Sequence, residues 1–126
     1  MWLEAIGSLP KLHVSPMAVV QVGGGRVLVE VDDIDENRIR LVFQPYQAVR
    51  ITTTDCFEVP DGLPIIGQTV LEVIDSPWIE ELTVTLKRVD HTATFMTKAR
   101  HFIVPAQDDF VEVVAWDVFS EAISLQ

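Results

Sequence analysis

The chain predicts a mainly β fold: an antiparallel sandwich or partly open barrel of about seven or eight strands with one short helix. Three observations lead there. Short runs rich in Val, Ile, Leu and Phe recur along the whole chain between clusters of turn residues. Several runs have period two, as where Val27, Val29 and Val31 alternate with Arg26, Leu28, Glu30 and Asp32. Only one longer segment, starting at Pro77, carries helix signals.

The 126 residues suit a single domain, 1–126, large enough for one core without staples. The formal net charge of -10 argues against a nucleic-acid partner and against adhesion to anionic lipid. A basic protein partner fits this charge, as does solubility alone. The single cysteine, Cys56, excludes an internal disulfide and fits a reducing compartment. The start, MWLEAIGSLPKLHV, lacks a basic region and carries Glu4 inside its apolar run, a poor signal peptide. No apolar run approaches the ~20 residues of a membrane helix. A cytoplasmic protein is expected.

Trp2 to Ile6 reads either as one amphipathic turn stopping at Gly7 or as a first strand. Pro10 and Pro16 bracket an extended link. Met17 to Val22 and Arg26 to Asp32 flank Gly23-Gly24-Gly25, whose positive φ suits a hairpin turn. A phosphate-binding glycine loop would need a helix directly afterwards, and a strand follows instead. Glu30 to Glu36, EVDDIDE, holds five carboxylates in seven residues. It reads as an exposed loop without metal, since it lacks the glycine and terminal glutamate of a calcium loop. Glu30, Asp32, Asp33, Asp35 and Glu36 are the candidate acidic surface for a basic partner.

Ile39, Leu41 and Phe43 alternate with Arg38, Arg40 and Val42. Gln44-Pro45-Tyr46 reads as a turn, and Val49, Ile51 and Thr53 then complete a second hairpin. Its arginines are expected to meet the neighbouring acidic run as surface ion pairs. Asp55 to Gly67, with Pro60, Asp61-Gly62 and Pro64, reads as loop. Cys56 at its start has no histidine nearby in sequence to activate it, so a buried inert thiol is expected. Gln68 to Ile74 reads as a strand. Ser76 can cap a helix, Pro77 suits its first position, and Glu80, Glu81, Lys87 and Arg88 complement its dipole. Trp78, Ile79, Leu82 and Leu86 share one face, which predicts a helix from Pro77 to about Leu86. Trp2, Trp78 and Trp116 are expected in the core.

After a polar connection, Val89 to Thr97, the stretch Lys98 to Phe119 reads as a C-terminal hairpin turning at Pro105-Ala106-Gln107-Asp108-Asp109. Its second run is apolar on both faces, as in a strand covered on both sides. Glu112 is the exception. A four-residue loop, Pro105 to Asp108, would set Val104 opposite Asp109 and His101 opposite Glu112, within reach of one hydrogen bond. His101, Asp108 and Glu112 form the candidate polar cluster. A satisfied pair that fixes the hairpin register is one reading. A general acid–base site is the other. These residues are too few and too poorly spaced for zinc.

The segment Asp75-Ser76-Pro77-Trp78-Ile79, followed by His101-Phe102-Ile103, Asp108 and Glu112, resembles a loose family of small bacterial proteins. Their pattern is D-S-x-W-I/L and then H-Y/F-I-x4-D-x3-E. The resemblance covers about Val70 to Phe119. The chain departs from it at Pro105-Ala106-Gln107, where members carry a more aromatic run, and at Pro77, where members carry a polar residue. Some members look like proteins associated with polymorphic toxins, including immunity proteins. The resemblance implies hairpins around a short helix and no transferable biochemistry.

The expected function is therefore a non-catalytic cytoplasmic interaction module, an immunity-type protein that masks a basic partner. The alternative is a small-molecule-binding β domain, marked by an enclosed apolar pocket. The third reading is a hydrolase-like enzyme using His101 and Glu112. No cofactor is expected in any of them.

Overall fold

The computed structural model describes residues 1–13, 16–59 and 68–123. Among these, seven strands form one antiparallel sheet that does not close on itself, the partly open form of the expected architecture. In chain order they are β1 (Trp2–Ala5), β2 (Val19–Gly23), β3 (Arg26–Asp32), β4 (Arg38–Thr53), β5 (Leu71–Ile74), β6 (Arg100–Pro105) and β7 (Asp109–Ala122). One helix, α1 (Pro77–Val89), lies between β5 and β6. The order across the sheet is β1-β5-β6-β7-β4-β3-β2. No helix among the described residues is long and apolar enough to cross a membrane.

β7 occupies the middle of the sheet, as its two apolar faces require. Val111, Val113, Val114 and Ala115 are all fully buried. Val111, Val113 and Ala115 join the larger core with Val27, Val29, Val31, Leu41, Phe43, Phe102 and Val104. A smaller core gathers Leu71, Val73 and Ile103, with Phe57 and Phe110 packed against it and stacked on each other at 4.2 Å between ring centres.

The first hairpin forms as expected. Gly24 (φ 60°) and Gly25 (φ 76°) both adopt the left-handed backbone that a two-residue type I′ turn demands. The expected second hairpin does not form. β4 runs unbroken through Gln44-Pro45-Tyr46, with a cis peptide before Pro45 and a bulge between Tyr46 and Ala48. Proline is tolerated there because the β3 ladder ends at Val27 opposite Phe43, and the next carbonyl on that side, that of Gly25, accepts the N–H of Tyr46 instead. β7 flanks β4 from Ile39 opposite Ala122 to Thr53 opposite Asp109 and holds it extended across the bulge.

The acidic run is only partly a loop. Glu30, Val31 and Asp32 belong to β3, because Val31 continues the period-two row and is fully buried. The chain turns at Ile34 to Glu36, and Asp33 Oδ1 accepts the N–H groups of Asp35 and Asn37. Two of the three arginines of β4 meet these carboxylates as expected, Arg40 with Glu30 at 3.1 Å and Arg38 with Asp32 at 3.4 Å, whereas Arg50 pairs with Glu112 instead.

Further expectations fail: Trp78 and Trp116 are only half-buried and belong to neither core. Trp2 is 46% exposed, on a short edge strand that offers no layer to cover it. Cys56 is exposed, at the end of a single 3-10 turn (Thr54–Cys56) that leaves the sheet after β4. Of the loop expected over Asp55 to Gly67, positions 60–67 lie outside the described residues, as do Val14 and Ser15 of the link before β2.

α1 starts where the cap signals put it. The Ser76 hydroxyl accepts the N–H of Ile79, Pro77 opens the helix, and Lys87 and Arg88 sit in its last turn. It buries no residue fully, so the face carrying Trp78, Ile79, Leu82 and Leu86 is half-covered.

Candidate functional site

β6 and β7 form the expected hairpin with a four-residue loop, displaced by one residue along the chain. Pro105 pairs with Phe110, so Ile103 rather than His101 stands opposite Glu112, and His101 stands opposite Val114. The slip is two residues in register, an even number, so His101 and Glu112 keep the same face as diagonal neighbours. His101 Nε2 and Glu112 Oε1 lie 2.9 Å apart, with both side chains almost fully buried.

This pair is the centre of a longer chain of contacts. From β4, Arg50 meets Glu112 with two nitrogens: Nε donates to Oε2, and Nη2 donates to Oε1 at 3.1 Å. On the other side, the Ser76 hydroxyl lies 2.7 Å from His101 Nδ1. The His101 and Trp78 rings meet in a T-shaped contact at 5.2 Å between centres, and the Arg50 guanidinium stacks over Trp78 at 4.0 Å. Burial raises the pKa of the Glu112 carboxyl, but the hydrogen bonds from His101 and Arg50 outweigh it and hold the group below the ordinary carboxylate range. An ionised Glu112 only accepts, so the proton on Nε2 points to it. In the neutral ring Nδ1 then accepts from Ser76, whose oxygen accepts from Ile79 N–H. Every polar atom of the His101 ring is engaged.

An open cleft of about 760 Å³ lies over this network. Arg50, Trp78, His101 and Glu112 line it, together with Phe57, Glu58 and Glu81. Ser76 is 4% exposed and does not line this cleft. Glu58 and Glu81 are exposed and pair with no cation among the described residues. Glu112 is matched by Arg50, so the lining carries a surplus of carboxylate.

Asp108 does not join the cluster. It is exposed in the β6–β7 turn, where its carbonyl accepts the N–H of Thr54. The acidic surface candidates are also drawn elsewhere. Glu30 and Asp32 are ion-paired, Asp33 caps its own turn, and Glu36 lies 3.7 Å from His13. Arg40 sits between Glu121 and Glu30, which hold its guanidinium above its ordinary pKa. Asp35 is exposed at the turn. Among the described residues no group of His, Cys, Asp and Glu is placed to hold a metal ion.

Arg50 and Ser76 complete the network beyond the His101–Glu112 pair that the sequence predicts. Ser76 carried a signal, since a cap faces the start of its helix, but nothing local ties it to His101. Arg50 carried none. Its place follows from the β4–β7 register, which sets Arg50 opposite Glu112. Comparison of the chain with family models, curated proteins and solved structures finds no match.

Proposed function

We propose that the chain is a non-catalytic interaction module, and that the cleft beside Trp78 receives basic side chains of a partner protein. The observation that carries this reading is the unmatched carboxylate pair Glu58 and Glu81 at an open, aromatic-walled cleft in a chain of net charge -10. A cation entering the cleft gains Coulomb attraction from both, and the partner is steered by the overall charge. The partner-binding site thereby moves from the EVDDIDE run, whose strand carboxylates are already satisfied by Arg38 and Arg40, to the cleft.

The hydrolase-like reading finds no support. Both nitrogens of His101 are engaged, Glu112 holds two partners, and Ser76 is buried and bonded on both sides. The cleft is within the ~300–1,000 Å³ range of small-molecule sites, which favours a small cationic ligand as second reading. Its openness and half-polar lining favour side chains presented by a protein.

The test compares immobilised wild type with the Glu58→Gln/Glu81→Gln double variant in capture from native lysate, read by mass spectrometry. A basic protein held by wild type and lost on the double variant is the expected result. A partner held equally by both, or an acidic partner, overturns the reading.

A further inference from the structure

We infer that β2 is a self-association edge, where two copies of the chain join antiparallel through their β2 strands into one continuous sheet. β2 is the last strand on its side of the sheet, and among the described residues no other strand pairs with its outer edge.

The direction of its free backbone groups follows from the turn. In a two-residue type I′ hairpin the closing residues exchange both N–H···O bonds. Here they are Gly23 and Arg26. Alternation along the strand then turns Gln21 and Val19 toward their β3 partners Leu28 and Glu30. The N–H and C=O of Val20 and Val22 face outward. Four peptide groups at this spacing are a template for another strand.

Edges of this kind are ordinarily protected by charge, proline or a bulge. The sequence Val19-Val20-Gln21-Val22-Gly23 has none of these. Val19 and Val22 are 47% and 49% exposed, and Met17 just before them is 68% exposed. The opposite edge of the sheet, β1, carries Glu4, whose carboxylate accepts the Trp2 indole N–H at 3.0 Å. The two edges therefore differ in charge, and only β2 is neutral.

A second copy is the occupant this strand fits, because β2 is complementary to itself. With a two-fold axis at Gln21, Val20 of each copy faces Val22 of the other. Those two pairs are the ones whose outward groups can exchange four hydrogen bonds. Gln21 then faces Gln21 of the second copy in the closer, non-bonded pairing, and Val19 faces Gly23. Val20 already packs against the larger core, and Val22 projects to the same side, so the four valines extend the apolar layer. The net charge of -10 does not oppose this contact locally. The carboxylates of the next strand, Glu30 and Asp32, are neutralised by Arg40 and Arg38. β2 contributes nothing to the cleft, so this inference stands apart from the proposed partner site.

The test is sedimentation of wild type, Gln21→Lys, Gln21→Glu and an equimolar mixture of the two variants. Each protomer is 14.1 kDa. Wild type is expected to sediment as a dimer. Each single variant sets like charges face to face and should associate at least tenfold more weakly. The mixture sets opposite charges face to face and should recover the dimer. That recovery cannot come from misfolded variants. Hydrogen exchange should show the Val20 and Val22 amides protected in wild type and open in either variant alone. A monomeric wild type overturns the inference, whether or not its edge takes up a foreign extended peptide. So does a dimer indifferent to Gln21→Lys and Gln21→Glu.

Discussion

Glu112→Gln is the perturbation on which the buried network makes its sharpest statement. Glu112 is 2% exposed and receives hydrogen bonds from Arg50 and His101. The amide keeps the volume but turns one acceptor into a donor that meets other donors. A hydrogen bond to a charged group contributes about 1.5–3 kcal/mol. Removing one partner of a fully buried ion pair costs about 3–5 kcal/mol. The upper range does not apply, because the Arg50 side chain is 48% exposed and recovers hydration when released. A loss of about 2–3 kcal/mol is expected from these terms. His101→Ala should cost about 2–4 kcal/mol, since it also opens a void beside Trp78 and leaves Ser76 short of a partner. The double variant should lose less than the sum, by about 1–2 kcal/mol, because each single change already breaks the shared bond. Urea unfolding at pH 7, followed by tryptophan fluorescence, measures all three. Losses under about 0.5 kcal/mol for each single variant, or additivity within that margin, would refute the reasoning.

Three further outcomes follow from the same geometry. The Glu112 carboxyl titrates lower in the folded than in the unfolded chain, so its stabilisation is present above an unfolded value of about 4.3 and is lost as pH falls through the folded value. Urea midpoints measured from pH 7 to pH 3 should therefore fall less steeply in Glu112→Gln than in wild type. Ser76→Ala removes both a helix cap and a partner of His101 and should cost about 1–2.5 kcal/mol, whereas Ser76→Asp should recover part of the helix term; thermal unfolding by circular dichroism reads both. Trp78→Ala should cost about 1.5–3 kcal/mol in urea unfolding, below the ~3–5 kcal/mol of a fully buried aromatic, because one face of the ring meets Arg50 and the helix is half-covered.

The parts legible in the sequence were those fixed by local pattern. Period-two rows gave the strands, three consecutive glycines gave the first turn, and Ser76-Pro77 gave the start of α1. The face shared by His101 and Glu112 also followed, since a loop of even length sets faces even when its position along the chain is off by one residue. What failed depended on neighbours distant in the chain. Gln44-Pro45-Tyr46 has turn chemistry, and only the presence of β7 along β4 keeps it extended. Glu30 and Asp32 read as part of a loop because charge density alone does not show the β3–β4 register that sets them opposite Arg40 and Arg38. Arg50 and Glu112 meet across 62 residues, a pairing that no local spacing encodes. For Trp2 and Cys56 only residue type points to the core, and type does not say which edge or rim a residue occupies; Trp78 does lie on the packed face of α1, but that face is only half-covered.

The cleft beside Trp78 is best tested by nuclear magnetic resonance on protein labelled with ¹⁵N, titrated with a hexa-arginine peptide at 0.15 M salt. The chain's three tryptophans give separate indole N–H signals. The predicted result is saturable movement of the Trp78 indole, the Arg50 Nε–H and the Glu81 amide, lost in Glu58→Gln/Glu81→Gln, while the Asp35 and Glu36 amides stay in place. Movement centred on Asp35 and Glu36, with Trp78 and Arg50 unchanged, would contradict it.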